Sequence, residues 1–180
     1  MVEETKLLGV LVNNKLSWDS NTRYLVKRAN SRMRLLHKLV EFDIPEEDLL
    51  NIYVLYVRSI LEQSCQVWHS SLTLSNSSDL ERVQKNALKI ILQDNYISYN
   101  HALETTNLTT LEERRNFLCL RFAKSCIKNE NTKHMFPENV QRKGYDIDTR
   151  KIEKYQVINA KTERLKTSAI PFMQNLLNNQ

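Results

Sequence analysis

The sequence predicts a mainly α-helical protein: a bundle of about five helices, with a short N-terminal β strand or hairpin before it and an irregular C-terminal tail after it. Three observations predict this class. Only 2 Gly and 3 Pro occur in 180 residues, which leaves little material for the tight turns of an all-β fold. Between residues 19 and 128 apolar residues recur at helical spacing in several stretches. Helix-start signals stand before most of those stretches. With 41% hydrophobic and 26% charged residues, the chain has an ordinary globular composition and enough length for a sizeable core.

The run Lys6-Leu7-Leu8-Gly9-Val10-Leu11-Val12 reads as a strand closing at Asn13-Asn14, and nothing after it reads as a partner strand. A lone strand cannot satisfy its own backbone, so this run expects a sheet from elsewhere. Asp19 or Ser20 is placed to cap a helix reaching about Val40, with Leu25, Val26, Ala29, Met33, Leu36 and Val40 on its apolar side. A second helix starts at Pro45, where Glu46, Glu47 and Asp48 oppose the helix dipole, and runs to about Ser64. Apolar residues cover most of its circumference, so it is expected at the centre, and Cys65-Gln66-Val67-Trp68 is expected to extend or bend it.

Leu72 to Ser78 reads as a polar connection, and Ser78-Asp79-Leu80-Glu81 as a capping box opening a helix to about Leu92. Its apolar face is Leu80, Val83, Ala87, Ile90 and Ile91. A short helix follows near Ser98 to Thr105. Thr110-Leu111-Glu112-Glu113 then opens a helix to about Lys128, with Leu111, Leu118, Phe122 and Cys126 in register. From Asn129 onward the texture is polar, and residues 129–180 are expected to be partly extended or disordered, with no long periodic segment before Ile170-Pro171-Phe172-Met173.

The net charge is +5, but its position is more informative. Between Ser20 and Val40 stand six basic residues and no acidic one. Arg23, Lys27, Arg34 and Lys38 fall within an arc of about 60° on one side of that helix, with Arg28 and Arg32 flanking the apolar stripe. Cations held in a row can follow a nucleic-acid backbone, and the lack of an intervening acid favours this reading over a merely solvated face. Arg82, Lys85 and Lys89 form a weaker second row.

Cys65, Cys119 and Cys126 are an odd set without a signal peptide, which predicts reduced thiols in an intracellular, cytoplasmic or nuclear protein rather than a secreted disulfide framework. The longest apolar run, Leu49 to Leu61, contains Asn51 and Arg58 and is too short to span a bilayer, so no membrane partner is expected. Cys119 and Cys126, seven apart, read as core packing.

Catalytic chemistry finds little to use. The carboxylates at Glu46-Glu47-Asp48 and Glu112-Glu113 stand at helix starts, where dipole and capping roles explain them. Gly9 and Gly144 stand alone, so there is no phosphate loop. His37, His69, His101 and His134 have no zinc-type spacing. No catalytic residue, metal, cofactor or small-molecule substrate is predicted.

Several motifs, in order, resemble the C-terminal part of a reverse transcriptase from a non-LTR (LINE-type, jockey-like) retrotransposon. Lys6-Leu7-Leu8-Gly9-Val10 with Leu16-Ser17-Trp18 resembles the family's Lys-Phe-Leu-Gly-Val and Leu-Ser-Trp. Leu61-Glu62 through Val67-Trp68 resembles Leu-Glu-Tyr-x-x-x-x-Trp, and Leu80-Glu81-Arg82-Val83-Gln84-Lys85-Asn86-Ala87 is similar to Leu-Glu-x-Val-Gln-Lys-x-Ala. Leu111-Glu112-Glu113-Arg114-Arg115 matches its Leu-x-x-Arg-Arg element, and Lys166 to Phe172 with Leu176-Leu177-Asn178 resembles a terminal segment. Asn13 stands where many relatives have Asp, and Gln63 where many have Tyr.

The resemblance implies that residues 1–16 are the end of the palm, with Leu8 and Gly9 in a primer-grip-like strand. Residues 17–128 would be the thumb and helical extension, presenting Arg23, Lys27, Arg34 and Lys38 to RNA or an RNA–DNA duplex. The Asp-Asp motif for two magnesium ions has no counterpart here, so the expected product is noncatalytic. Two other readings stay open: a helical interaction module docking on another protein, such as a reverse transcriptase palm in trans, or a transposon-derived reading frame without function.

Overall fold

The structure, a computed structural model, describes residues 3–139 and 154–180. It is mainly α-helical with an N-terminal two-stranded hairpin. The chain divides into two compact units, Met1–Cys65 with Leu72–Arg115, and Gln66–Ser71 with Asn116–Gln180.

The first unit opens with β1 (Glu4–Leu7) and β2 (Val10–Asn13), paired antiparallel from Glu4 opposite Asn13 to Leu7 opposite Val10. The expected strand or hairpin is thus a hairpin, and the run read as one strand from Lys6 to Val12 folds back on itself at Leu8-Gly9. Both turn residues have positive φ, 47° and 88°, the conformation of a two-residue hairpin turn matched to strand twist. A side chain at Gly9 would meet only the Gln63 carboxamide, the movable end of a flexible side chain, so it is the positive φ that calls for glycine in this turn.

Helix α1 (Asp19–Glu41) buries Leu25, Ala29, Met33 and Leu36, as the periodicity predicts. No side chain caps it from the expected Asp19 or Ser20. Trp18 is the N-cap residue, and the Asp19 carboxylate instead accepts from Asn76 Nδ2 at 2.9 Å.

The second helical run, preceded by Pro45, is α2 (Glu46–Ile52), a π-helical turn (Tyr53–Arg58) and α3 (Ser59–Glu62). It is not surrounded on all sides as its composition predicts. Leu49, Tyr53, Val57, Ile60 and Leu61 are buried, whereas Leu55 is 68% and Tyr56 53% exposed. The wider π turn keeps Tyr53 and Val57 both inward and leaves the intervening residues outside. The run then breaks rather than extends, because Gln63 is extended in ψ and Ser64 has φ 53°. Cys65–Trp68 forms a separate turn, α4, followed by a 3-10 turn at His69–Ser71.

Helix α5 (Leu74–Leu92) starts earlier than its capping-box motif predicts. Thr73 is the cap, accepting from Asn76 N, and Ser78–Glu81 lies inside the helix. A Thr one turn upstream supplies the same capping oxygen, which lets the helix reach back over the Ser/Asn-rich stretch. The short helix expected near Ser98 to Thr105 is α6 (Tyr99–Thr105), and Ser98 caps it by accepting from His101 N. At α7 (Leu111–Lys128) the predicted capping box forms in full: Thr110 N donates to Glu113 Oε2 at 3.1 Å and Glu113 N to Thr110 Oγ1 at 3.2 Å.

Polar groups hold this first unit together internally. Tyr53 OH donates to Gln84 Oε1 at 2.8 Å, and Gln84 Nε2 donates to Tyr99 OH and to the Thr109 carbonyl. Tyr99 donates in turn to Glu81, which also accepts from Leu111 N. Burial drives the Tyr53 hydroxyl well above its usual range; burial and then the Glu81 carboxylate do the same to Tyr99. Glu62 bridges Arg58 at 2.9 Å and Arg114 at 3.3 Å.

The second unit gathers Cys119, Ala123, Cys126, Phe136, Tyr155, Met173 and Leu177 into one core. The two α7 cysteines are buried in this core, in the packing role the sequence predicts. The buried side of α7 includes Cys119 and Ala123, while Phe122, placed in the apolar register by spacing, is 43% exposed. Helices α8 (Glu163–Lys166) and α9 (Ala169–Asn178) give the polar tail more order than its texture predicts. Two side-chain carboxamides on α9 explain how. Asn178 bonds both the N–H and the carbonyl of Tyr155, and Gln174 accepts from Ile158 N while donating to the Met135 carbonyl. They satisfy an extended segment as a neighbouring strand would. The rest of the tail expectation, over 140–153, lies outside the described residues.

Candidate nucleic-acid interface

Arg23, Lys27, Arg34 and Lys38 are all exposed on α1. The first three line an open groove of about 600 Å³, together with Val26, Asn30 and Ser31 of α1 and Asp79 and Arg82 of α5. The groove exists because α1 and α5 pack along their apolar faces, joined at one point by the Asn76–Asp19 hydrogen bond. Among the described residues, three cations of α1 face Asp79 and Arg82 of α5 across it. Asp79 holds Arg82 at 2.7 Å, so Arg82 enters the groove already paired. Lys38, one turn beyond Arg34, is not among the lining residues.

Asp19 stands one turn before Arg23. Its carboxyl is held below the ordinary value by the Asn76 amide first, then by Ser17, with a smaller contribution from the Arg23 charge. Lys27 and Arg34 have no ion-pair partner among the described residues. The sequence marks the α1 row but not the wall opposite, because Asp79 reads there as part of a capping box. The weak row on α5 is spent locally: Lys85 Nζ lies 4.9 Å from the Tyr99 ring centroid and Lys89 Nζ 5.5 Å from that of Tyr96.

Leu8 and Gly9 are not brought to this groove. At 100° per residue, Tyr24 and Arg28 point about 100° and 140° round α1 from Arg23, and it is these that meet the hairpin side. Lys6 Nζ donates to Tyr24 OH at 2.6 Å, a contact that lowers the Tyr24 hydroxyl below its usual range. Arg28 Nη1 donates to Gln63 Oε1 at 3.0 Å, and the carboxamide of the same Gln63 lies against Gly9. Leu8 is 91% exposed at the tip of the turn. The predicted site residues thus fall on two different sides of α1.

Among the described residues no group of three or more His, Cys, Asp or Glu side chains could hold a metal ion, and no helix is long and apolar enough to cross a membrane. No protein family, curated protein or solved structure matches the chain.

Proposed function

We propose that this chain is a noncatalytic, thumb-side segment of a non-LTR retrotransposon reverse transcriptase, which grips an RNA–DNA duplex through the α1–α5 groove. The observation that carries this reading is the groove itself: Arg23, Lys27 and Arg34 along one wall, Arg82 on the other, with Asp79 as the only acid among the described lining residues. Phosphate contacts from such a row position a duplex without reading its sequence. The ordered motifs from Lys6 to Asn178 support the family; the polymerase chemistry belongs to segments that these 180 residues do not include.

Fluorescence anisotropy with a labelled RNA–DNA duplex across a salt series tests it. Three phosphate contacts give a slope of log affinity against log salt of about −3. Absence of binding at low salt contradicts the proposal.

A second reading, docking on a polymerase palm in trans, is favoured by the hairpin edge. Leu7 and Val10 close the two-residue turn, so alternation along the ladder puts the N–H and C=O of Glu4 and Lys6 on the outer edge of β1. Open edges are where a further strand adds. Glu4→Pro removes one edge donor, and on this reading it abolishes capture of a palm fragment while leaving duplex binding unchanged.

A further inference from the structure

The outward side of α7 carries a second cationic row, in the Asn116–Gln180 unit and separate from the α1–α5 groove. From Arg114 through Asn129 the sequence contains no acidic residue. Phe117, Arg121, Lys124 and Lys128 fall within an arc of about 60° and extend over about 16 Å of helix axis; all four are exposed. The Phe117 ring is 49% exposed, and the Arg121 guanidinium carbon lies 6.0 Å from its centroid.

Three cations elsewhere among the described residues are neutralised locally. Arg82 has Asp79, Lys133 has Glu130 and Lys166 has Glu163, in each case an acid three residues earlier. In the α7 row the residues three and four before each base are Leu118 and Phe117, Arg121 and Leu120, and Ser125 and Lys124. Like charges at these spacings repel, so the row comes at a cost to the helix. Among the described residues no ion pair offsets it. The acids among the described residues of this unit are Glu130, Glu138 and Glu163, and each is paired with Lys133, Lys154 or Lys166. Glu113, one turn before Phe117, is held by Thr110.

We propose that this face of α7 binds single-stranded nucleic acid, with Arg121, Lys124 and Lys128 on successive phosphates and the Phe117 ring as a base-stacking platform. A cation row with an exposed aromatic in the same arc is the combination that single strands use. The ring separates this ligand from the alternatives. In a duplex the base faces are already covered, and an acidic peptide would engage the cations alone. The site does not depend on the duplex reading of the α1–α5 groove.

Anisotropy of the full chain with a short labelled oligouridine tests it. The expected salt slope is about −2, from three cations at roughly 0.7 each. Phe117→Ala weakens binding roughly fivefold or more with the slope unchanged, and Phe117→Leu, which keeps apolar bulk, does the same. Lys124→Gln with Lys128→Gln reduces the slope by about two-thirds. Inorganic polyphosphate binds the wild type and both Phe117 variants equally. Arg23→Glu with Lys27→Glu and Arg34→Glu leaves oligouridine binding intact, and circular dichroism confirms the helices in every variant. Unchanged oligouridine affinity in the Phe117 variants, insensitivity to the lysine changes, loss in the α1 variant, or equal competition by polyglutamate would each overturn the proposal.

Discussion

Helices α1 and α7 both carry a run of cations with no acid between them, and they set it in opposite surroundings. The α1 row faces α5 across a groove, with Asp79 and Arg82 on the far wall. The α7 row stands on an outward face beside a half-exposed phenylalanine. Charge alone does not distinguish the two. Concavity does: a walled row can hold a regular duplex backbone from two sides, whereas an open row with a ring suits a flexible strand that offers its bases.

The largest effect expected is on the α1 side. Arg23→Glu with Lys27→Glu and Arg34→Glu replaces three attractive phosphate contacts with repulsive ones. It should lower duplex affinity at low salt at least about 100-fold and flatten the salt slope by about 3. Anisotropy measures both quantities, and a loss that salt does not modulate would mean that the row acts other than through phosphates.

The groove should also depend on packing in a way that the α7 face does not. Gln84→Ala leaves the buried Tyr53 hydroxyl and the Thr109 carbonyl without their partner. A cost of about 3 kcal/mol is expected in chemical denaturation, with oligouridine binding unaffected at denaturant concentrations where the chain stays folded.

Asp79→Asn probes the difference more finely. It releases Arg82 into the groove as an unpaired cation, so duplex affinity should rise a few-fold and the salt slope steepen by about 1. Arg82→Gln should change little in the wild type and abolish the gain in the Asp79→Asn background, which a double-mutant cycle reads directly.

The smallest effect concerns pH. Asp19 has its carboxyl below the ordinary value of 3.8 in the folded chain, chiefly through Asn76. Its contribution is therefore fully present above pH 3.8 and is lost as pH falls through the lower folded value. Asn76→Ala should make stability less steep in pH below about 4 and leave it unchanged in slope near neutrality. Equal acid sensitivity in both proteins would show that the α1–α5 hydrogen bond is not what lowers the Asp19 carboxyl.

Much of the first unit was legible because its signals are local. Thr110–Glu113 caps where its spacing places it, and the α1 stripe buries the side its period selects. What was not legible depends on partners distant in sequence. Asp19 reads as a cap until Asn76, 57 residues on, takes its carboxylate. The position of the hairpin turn hides in an apolar run because Leu8 adopts positive φ, a conformation leucine rarely signals. The α9 carboxamides look like polar tail residues until they are seen supporting Tyr155 and Ile158. The α1 row is readable from one helix and its α5 wall is not, while the α7 row is interleaved with that helix's apolar register.

The most direct test crosses the two helices with the two ligands. An RNA–DNA duplex and a short oligouridine are titrated against the α1 charge-reversal variant and against Lys124→Gln with Lys128→Gln, at one low salt concentration. The expected pattern is crossed: the α1 variant loses the duplex and keeps the single strand, and the α7 variant loses the single strand and keeps the duplex. Parallel loss of both ligands in either variant, or full retention in both, would contradict it.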